Sequence, residues 1–111
     1  MSGARYVKVA DDAGNHAISV RKRAGFDRVI GGRRFRFMVT DETQGFGQCV
    51  THVRSGKRVC AIAVGDAYLP AYSKLAGTAY TARANLALDA LIARVGEERV
   101  AQVLSDAEVK A

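Results

Sequence analysis

The 111-residue sequence contains no tryptophan, one proline and two cysteines, and each shortage narrows what the chain can be. Cys49 and Cys60 are too few for the disulfide frameworks that staple small secreted domains, and they suit reduced thiols in a cytoplasmic protein. No apolar run approaches the roughly 18 residues of a membrane span, and the Met-Ser-Gly-Ala-Arg start lacks the apolar centre of a signal peptide. A cytoplasmic protein with no membrane contact is therefore expected. His16 and His52 are the only histidines, which leaves little from which to assemble a metal centre or a general base.

What is present is a globular composition, 49% hydrophobic and 25% charged, which favours a packed core over disorder. With no internal repeat, low-complexity tract or linker, residues 1–111 read as one domain, β-rich and basic over 1–65 and mainly helical over 66–111. The net charge is +6, and it is unevenly placed. Residues 1–60 hold 12 Lys/Arg against 5 Asp/Glu, whereas residues 61–111 hold 5 against 6. A basic surface on the first half, suited to an anionic partner, is the natural reading.

Arg5–Ala10 and His16–Arg23 alternate apolar and polar residues around the turn-forming Asp11–Asn15, and predict a hairpin. Ala24–Gly32 carries Gly25, Gly31 and Gly32 and reads as a loop, with a short extended piece at Phe26–Ile30. Arg33–Thr40 is a strand with Phe35, Phe37 and Val39 on one side. Gln48–Arg54 and Arg58–Val64 form a second hairpin, in which a two-residue Ser55-Gly56 loop would pair Thr51 with Cys60 and Cys49 with Ile62. The period then changes. Ala79–Val95 is a helix with Thr78 as N-cap and with Ala84, Leu88, Leu91, Ile92 and Val95 in one stripe. Gly96 interrupts it, Glu97–Leu104 restarts it, and the tail from Ser105 is expected to fray.

The resulting fold class is α+β: an antiparallel meander of about five strands, packed on one face by a C-terminal helix. The covered face would hold Val7, Val9, Ile18, Val20, Phe35, Phe37, Val39, Cys49, Val53, Cys60, Ile62 and Val64. The opposite parity collects Tyr6, Lys8, Ser19, Arg21, Arg23, Arg34, Arg36, His52, Arg54 and Lys57. Lys8, Arg21, Arg23, Arg34, Arg36, His52, Arg54 and Lys57 are therefore the candidate nucleic-acid contacts, with Tyr6 and Phe46 as stacking rings. A polar outer face is also what any antiparallel sheet shows to water.

Gly45-Phe46-Gly47 leading into a strand invites comparison with the RNA-recognition signature, which needs a basic residue before the first glycine and an aromatic after the second. Gln44 and Gln48 stand there instead, and Asp11–Asn15 is too short to hold that module's first helix. Cold-shock proteins share only the Gly-Phe-Gly and a later histidine. The β-strands-then-helix order is shared with single-strand-binding coactivators and, in part, with double-stranded-RNA-binding domains, on topology alone. A ring at position 46 folded over the core edge is the simpler expectation.

Catalytic and metal chemistry find little support. Cys49 and His52 have the spacing of a metal half-site, but residues three apart on a strand face opposite ways. No serine or threonine has an evident base, and Gly31-Gly32 is not followed by a phosphate-loop lysine. No catalytic residue, metal or cofactor is assigned. The expectation is a non-enzymatic nucleic-acid binder. The alternative is a protein-interaction module, such as a phage or mobile-element accessory protein that inhibits a host complex. There Tyr68, Tyr72 and Tyr80 would bind the partner, and Leu86, Ala90 and Ala93 would suit a homodimer.

Overall fold

The structure, a computed structural model, describes residues 5–62 and 76–110. Strands β1 (Arg5–Ala10), β2 (His16–Ile30), β3 (Arg33–Asp41), β4 (Gln48–His52) and β5 (Arg58–Ala61) precede helices α1 (Ala76–Val95) and α2 (Glu97–Lys110). The strands make one antiparallel sheet in chain order. The α+β meander with helices on one face is thus the observed architecture. Val64 lies outside the described residues.

The stretch expected as a loop, Ala24–Gly32, is instead the second half of β2 and a two-residue turn. Ile30 pairs with Arg33, and Gly31 and Gly32 take φ of +60° and +79°. A two-residue hairpin turn of type I′ needs two consecutive left-handed residues, which glycine supplies without steric cost. The glycines that suggested irregularity are what lets the hairpin be tight.

β2 also carries one residue more than its partner. Lys22 pairs with Thr40 and Ala24 with Val39, which leaves Arg23 unpaired. Such a bulge bends a strand and reverses the facing of all that follows. Val20 and Phe26 are both even-numbered, yet they bury in different cores. Ahead of the bulge, the β1–β2 hairpin folds back over β3 and β4. The Ala10 amide donates to the Gly56 carbonyl at 2.9 Å. Val9, Val20 and Met38 form a small core there with Val7, Ile18 and Val53.

The single apolar face expected from the sequence is therefore two faces. The larger core lies between the other face and the helices: Phe26, Ile30, Phe35, Phe37, Val39 and Val50 pack under Tyr80, Ala84 and Leu88 of α1 and Val100, Ala101 and Leu104 of α2. β4 is displaced by one position from the expected facing. Phe37 pairs with His52 and Val39 with Val50, so Val50 and His52 turn toward the helices, and Cys49 and Thr51 turn away. Across the next pair, Cys49 meets Ala61 and Val50 meets Cys60. The cause is loop length. His52 N–H donates to the Lys57 carbonyl at 2.9 Å and Gly56 N–H to the His52 carbonyl at 2.8 Å, which closes the turn over residues 53–56.

α1 begins at Ala76, which places Thr78 inside its first turn instead of at the N-cap. Gly96, at φ +102°, donates its N–H to the Ile92 carbonyl at 2.8 Å and ends the helix, the left-handed stop that glycine favours. α2 opens on Glu97 and Glu98, which suit the positive end of its dipole. It continues to Lys110 instead of fraying at Ser105, because Val100, Ala101 and Leu104 bury against the sheet.

The Gly31–Gly32 turn docks on α2. Gly31 N–H donates to the Glu97 carboxylate at 2.6 Å, and a Cβ on Gly31 would lie 2.8 Å from the Ala101 Cβ, while one on Gly32 would meet open space. Both positions penalise alanine for left-handed backbone, but only Gly31 adds overpacking, typically about 1–3 kcal/mol. Gly31→Ala is expected to lower the urea midpoint clearly more than Gly32→Ala. Equal losses would show that the turn does not pack on α2.

Candidate nucleic-acid interface

The carboxylates of the β-rich half are largely taken up by arginines. Arg23 donates to both oxygens of Asp41, at 2.8 and 3.1 Å. Arg58 holds Glu42 in the same forked way, with both contacts at 2.9 Å. Arg36 donates to Asp27 at 2.9 Å. Burial works against the Asp41 carboxylate, but hydrogen bonds from Arg23 and Gln48 and the nearby positive charges outweigh it and hold the group below its ordinary range. For Glu42 the Arg58 hydrogen bond dominates over burial, and its carboxyl is likewise lowered. Arg23 is only 17% exposed and already engaged, so it is withdrawn from the set of ligand-facing cations.

The remaining candidates divide. Arg34 and Arg36 stand on the sheet face that carries no helix, across from Val29 and Asp27. Lys22 joins them. Its ammonium lies 3.1 Å, and the Arg36 guanidinium 3.6 Å, from the point where a Gly25 Cβ would stand. Glycine at position 25 is what leaves room for two cations side by side. Lys22 is not among the cations that the strand pattern singled out; the contact through Gly25 that brings it to Arg36 depends on the bulge and is invisible to strand alternation. Arg54 follows Val53, whose amide donates to the Arg36 carbonyl at 3.0 Å, and it is exposed.

Tyr6, Lys8 and Arg21 lie on the other face of the folded-back hairpin, opposite Val7, Val9 and Val20. Tyr6 is 65% exposed, but it does not share a face with Arg34 and Arg36. Lys57, in the β4–β5 turn, borders a cleft against the helices. Phe46 is fully exposed at the tip of its loop, between Gly45 and Gly47 at φ +79° and +100°. It is not folded over the core edge. Tyr80 is buried in the main core and presents nothing to a partner, while Tyr68 and Tyr72 lie outside the described residues.

His52 is the clearest correction. It is 1% exposed, wedged against Phe35 and Phe37 with ring centroids 6.0 Å away in each case. Its Nε2 meets Glu108 Oε2 at 2.9 Å and its Nδ1 meets Ser55 Oγ at 2.8 Å. With the imidazole neutral, the carboxylate requires the proton on Nε2, so Nδ1 accepts from the Ser55 hydroxyl. The ring thereby joins the end of α2 to the β4–β5 turn. Arg33 reinforces this end through Ser105 and Glu108. Positions 52 and 108 are too far apart in sequence for any local pattern to have linked them.

Cys49 and His52 do diverge, as strand geometry requires. Cys49 is buried beside Thr40 and Thr51, whose hydroxyls are 2.9 Å apart. Burial pushes the thiols of Cys49 and Cys60 up, and both cysteines are free. Among the described residues no group of His, Cys, Asp and Glu is arranged to hold a metal. Comparison with protein-family models, curated proteins and solved structures finds no match.

The forked Glu42–Arg58 pair carries a pH signature. A carboxyl lowered by folding contributes stability above its unfolded pKa, about 4.3 for glutamate, and loses it as pH falls through the folded value. The stability difference between wild type and Glu42→Gln is expected to be constant above about pH 6 and to close toward pH 2. A difference independent of pH in urea melts would show that the ion pair is not its source. His52→Ala should cost about 2–4 kcal/mol at neutral pH, through the lost ring and the unpaired Glu108, as read by the same melts.

Proposed function

We propose that the protein is a non-enzymatic, cytoplasmic nucleic-acid binder whose contact surface is the helix-free rim of the sheet: Lys22, Arg34 and Arg36, with Arg54 beside them. The observation that carries this reading is the convergence of these cations. Among the described residues Lys22, Arg34 and Arg54 have no ion pair, and Arg36 is shared only with Asp27. From the level of Thr40, opposite Lys22, to Arg34 the strand rises about 20 Å, enough to follow several phosphates. Phe46, at the loop on the Lys22 end, offers a free ring to an unpaired base. Tyr6, Lys8 and Arg21 would be reached only by a strand long enough to pass around the β1 edge.

A second reading, a protein-interaction module of the phage or mobile-element accessory type, is favoured by a separate observation. Leu86 of α1 is 67% exposed beside β5, which among the described residues is the last strand of the sheet.

Binding to a labelled oligonucleotide should weaken steeply with salt, and Arg34→Glu with Arg36→Glu should weaken it by tenfold or more and flatten the salt slope by about two. Asp27→Asn, which releases Arg36, should tighten binding. Phe46→Ala should reduce affinity for single strands more than for duplex. Unchanged affinity in the double glutamate variant would refute the assignment of this face.

A further inference from the structure

β5 is an edge strand; among the described residues it pairs only with β4. Beside it lies a trough of about 760 Å³, whose wall includes the four consecutive residues Arg58, Val59, Cys60 and Ala61. Successive side chains of a strand point to opposite faces. A cavity bounded by all four is therefore bounded by the strand's edge, where its outward backbone N–H and C=O groups lie. The facing wall is one side of α1, from Arg83 through Leu86 and Ala90 to Arg94. The trough continues into a smaller apolar cleft of about 240 Å³ that shares Arg58, Val59 and Leu91 and ends beside Lys57.

We infer that this trough docks an extended, acidic segment of a partner protein, added as a strand to the edge of β5 that has no partner among the described residues. Main-chain hydrogen bonds to a sheet edge supply affinity, and alternate side chains fall into flanking pockets. Leu86, Ala90 and Leu91 make an apolar floor for every second residue of such a segment. Among the described residues, the charged ones lining the two cavities are Lys57, Arg58, Arg83 and Arg94, all of one sign. Arg58 is already fixed by Glu42 and Arg83 has an interaction of its own, whereas Lys57 and Arg94 stand exposed. The intervening residues of the occupant are thus acidic. A second copy of this chain would bring the same cationic rim against itself, and a nucleic acid would make no use of an apolar floor or a strand edge.

This inference rests on the protein-interaction reading and is independent of the nucleic-acid one. The probe is a fluorescein-labelled peptide, Glu-Val-Glu-Leu-Glu-Val-Glu-Leu, titrated with the full chain by fluorescence polarisation. Its control is the same peptide with lysine for glutamate. Saturable binding is expected for the acidic peptide only. Leu86→Glu and Arg94→Glu should each weaken it by about tenfold or more, while Arg94→Lys keeps most of it. Arg34→Glu with Arg36→Glu should leave it unchanged, which separates this site from the sheet rim. Amide exchange at Val59–Ala61 should slow when peptide is bound. Residues 86 and 94 are exposed, so thermal melts like wild type are expected for these variants. The proposal is overturned by no binding at millimolar peptide, by equal binding of the lysine peptide, or by indifference to Leu86→Glu. It is equally overturned if Leu86→Glu converts a dimer to a monomer, or if an oligonucleotide displaces the peptide.

Discussion

Arg23 has no partner across the β2–β3 ladder, and most of the tertiary arrangement follows from that one inserted residue. It lets a single strand serve two layers. Its first half buries Val20 against Met38, and its second half buries Phe26 against Phe37 on the reverse side. The bend at the same point brings Ala10 to Gly56 and closes the β1–β2 hairpin over β3 and β4. Without the extra residue, both halves of β2 would present their apolar side chains to the helices, and the face beneath the hairpin would have nothing to cover it. The arginine itself is accommodated by Asp41, so the irregularity leaves no buried charge unpaired.

The same economy shapes the electrostatics. Within the β-rich half, Asp27, Asp41 and Glu42 each hold an arginine. Neutralisation of this kind removes Arg23 from the surface and stiffens Arg58, and among the described residues it leaves Lys22, Arg34 and Arg54 without an ion pair at the rim, with Lys8, Arg21 and Lys57 likewise unpaired on other surfaces. Exposed pairs such as Arg36–Asp27 contribute little stability in water, and their larger effect is on where an anion finds free positive charge. Pairing therefore sorts the cations more decisively than their number does.

α2 is held at both ends by groups distant in sequence. Glu97 receives the Gly31 amide at its start, and Glu108 receives His52 near its end. Leu104 and Val100 fill the space between. A short, mostly polar segment thus becomes a fixed part of the fold through two carboxylates and the stripe of Val100, Ala101 and Leu104. This is why the chain remains helical to Lys110, past the point where local propensity alone would let it fray.

The number and order of strands, the switch to helix in the last third and the apolar positions of β3 were legible in the sequence, because period-two and period-3.6 patterns are local. The candidate site was legible only in part. Arg34 and Arg36 are where strand alternation puts them, whereas His52 and Tyr80 are buried, Arg23 is engaged, and Lys22 was not among the candidates. The discrepancies on the strands share one origin. Facing on a strand has a period of two, so one bulge in β2 and a turn longer than expected after β4 each reverse a whole run of side chains. Cys49, Thr51 and Val53 on one parity and Val50 and His52 on the other are equally acceptable to a pattern, and only the meeting of Phe37 with His52 chooses between them. The sequence by itself determined which elements form and that their first half is cationic. Which of those cations share a surface was decided by tertiary structure, because register, bulge and fold-back are set by contacts between residues that no local window contains.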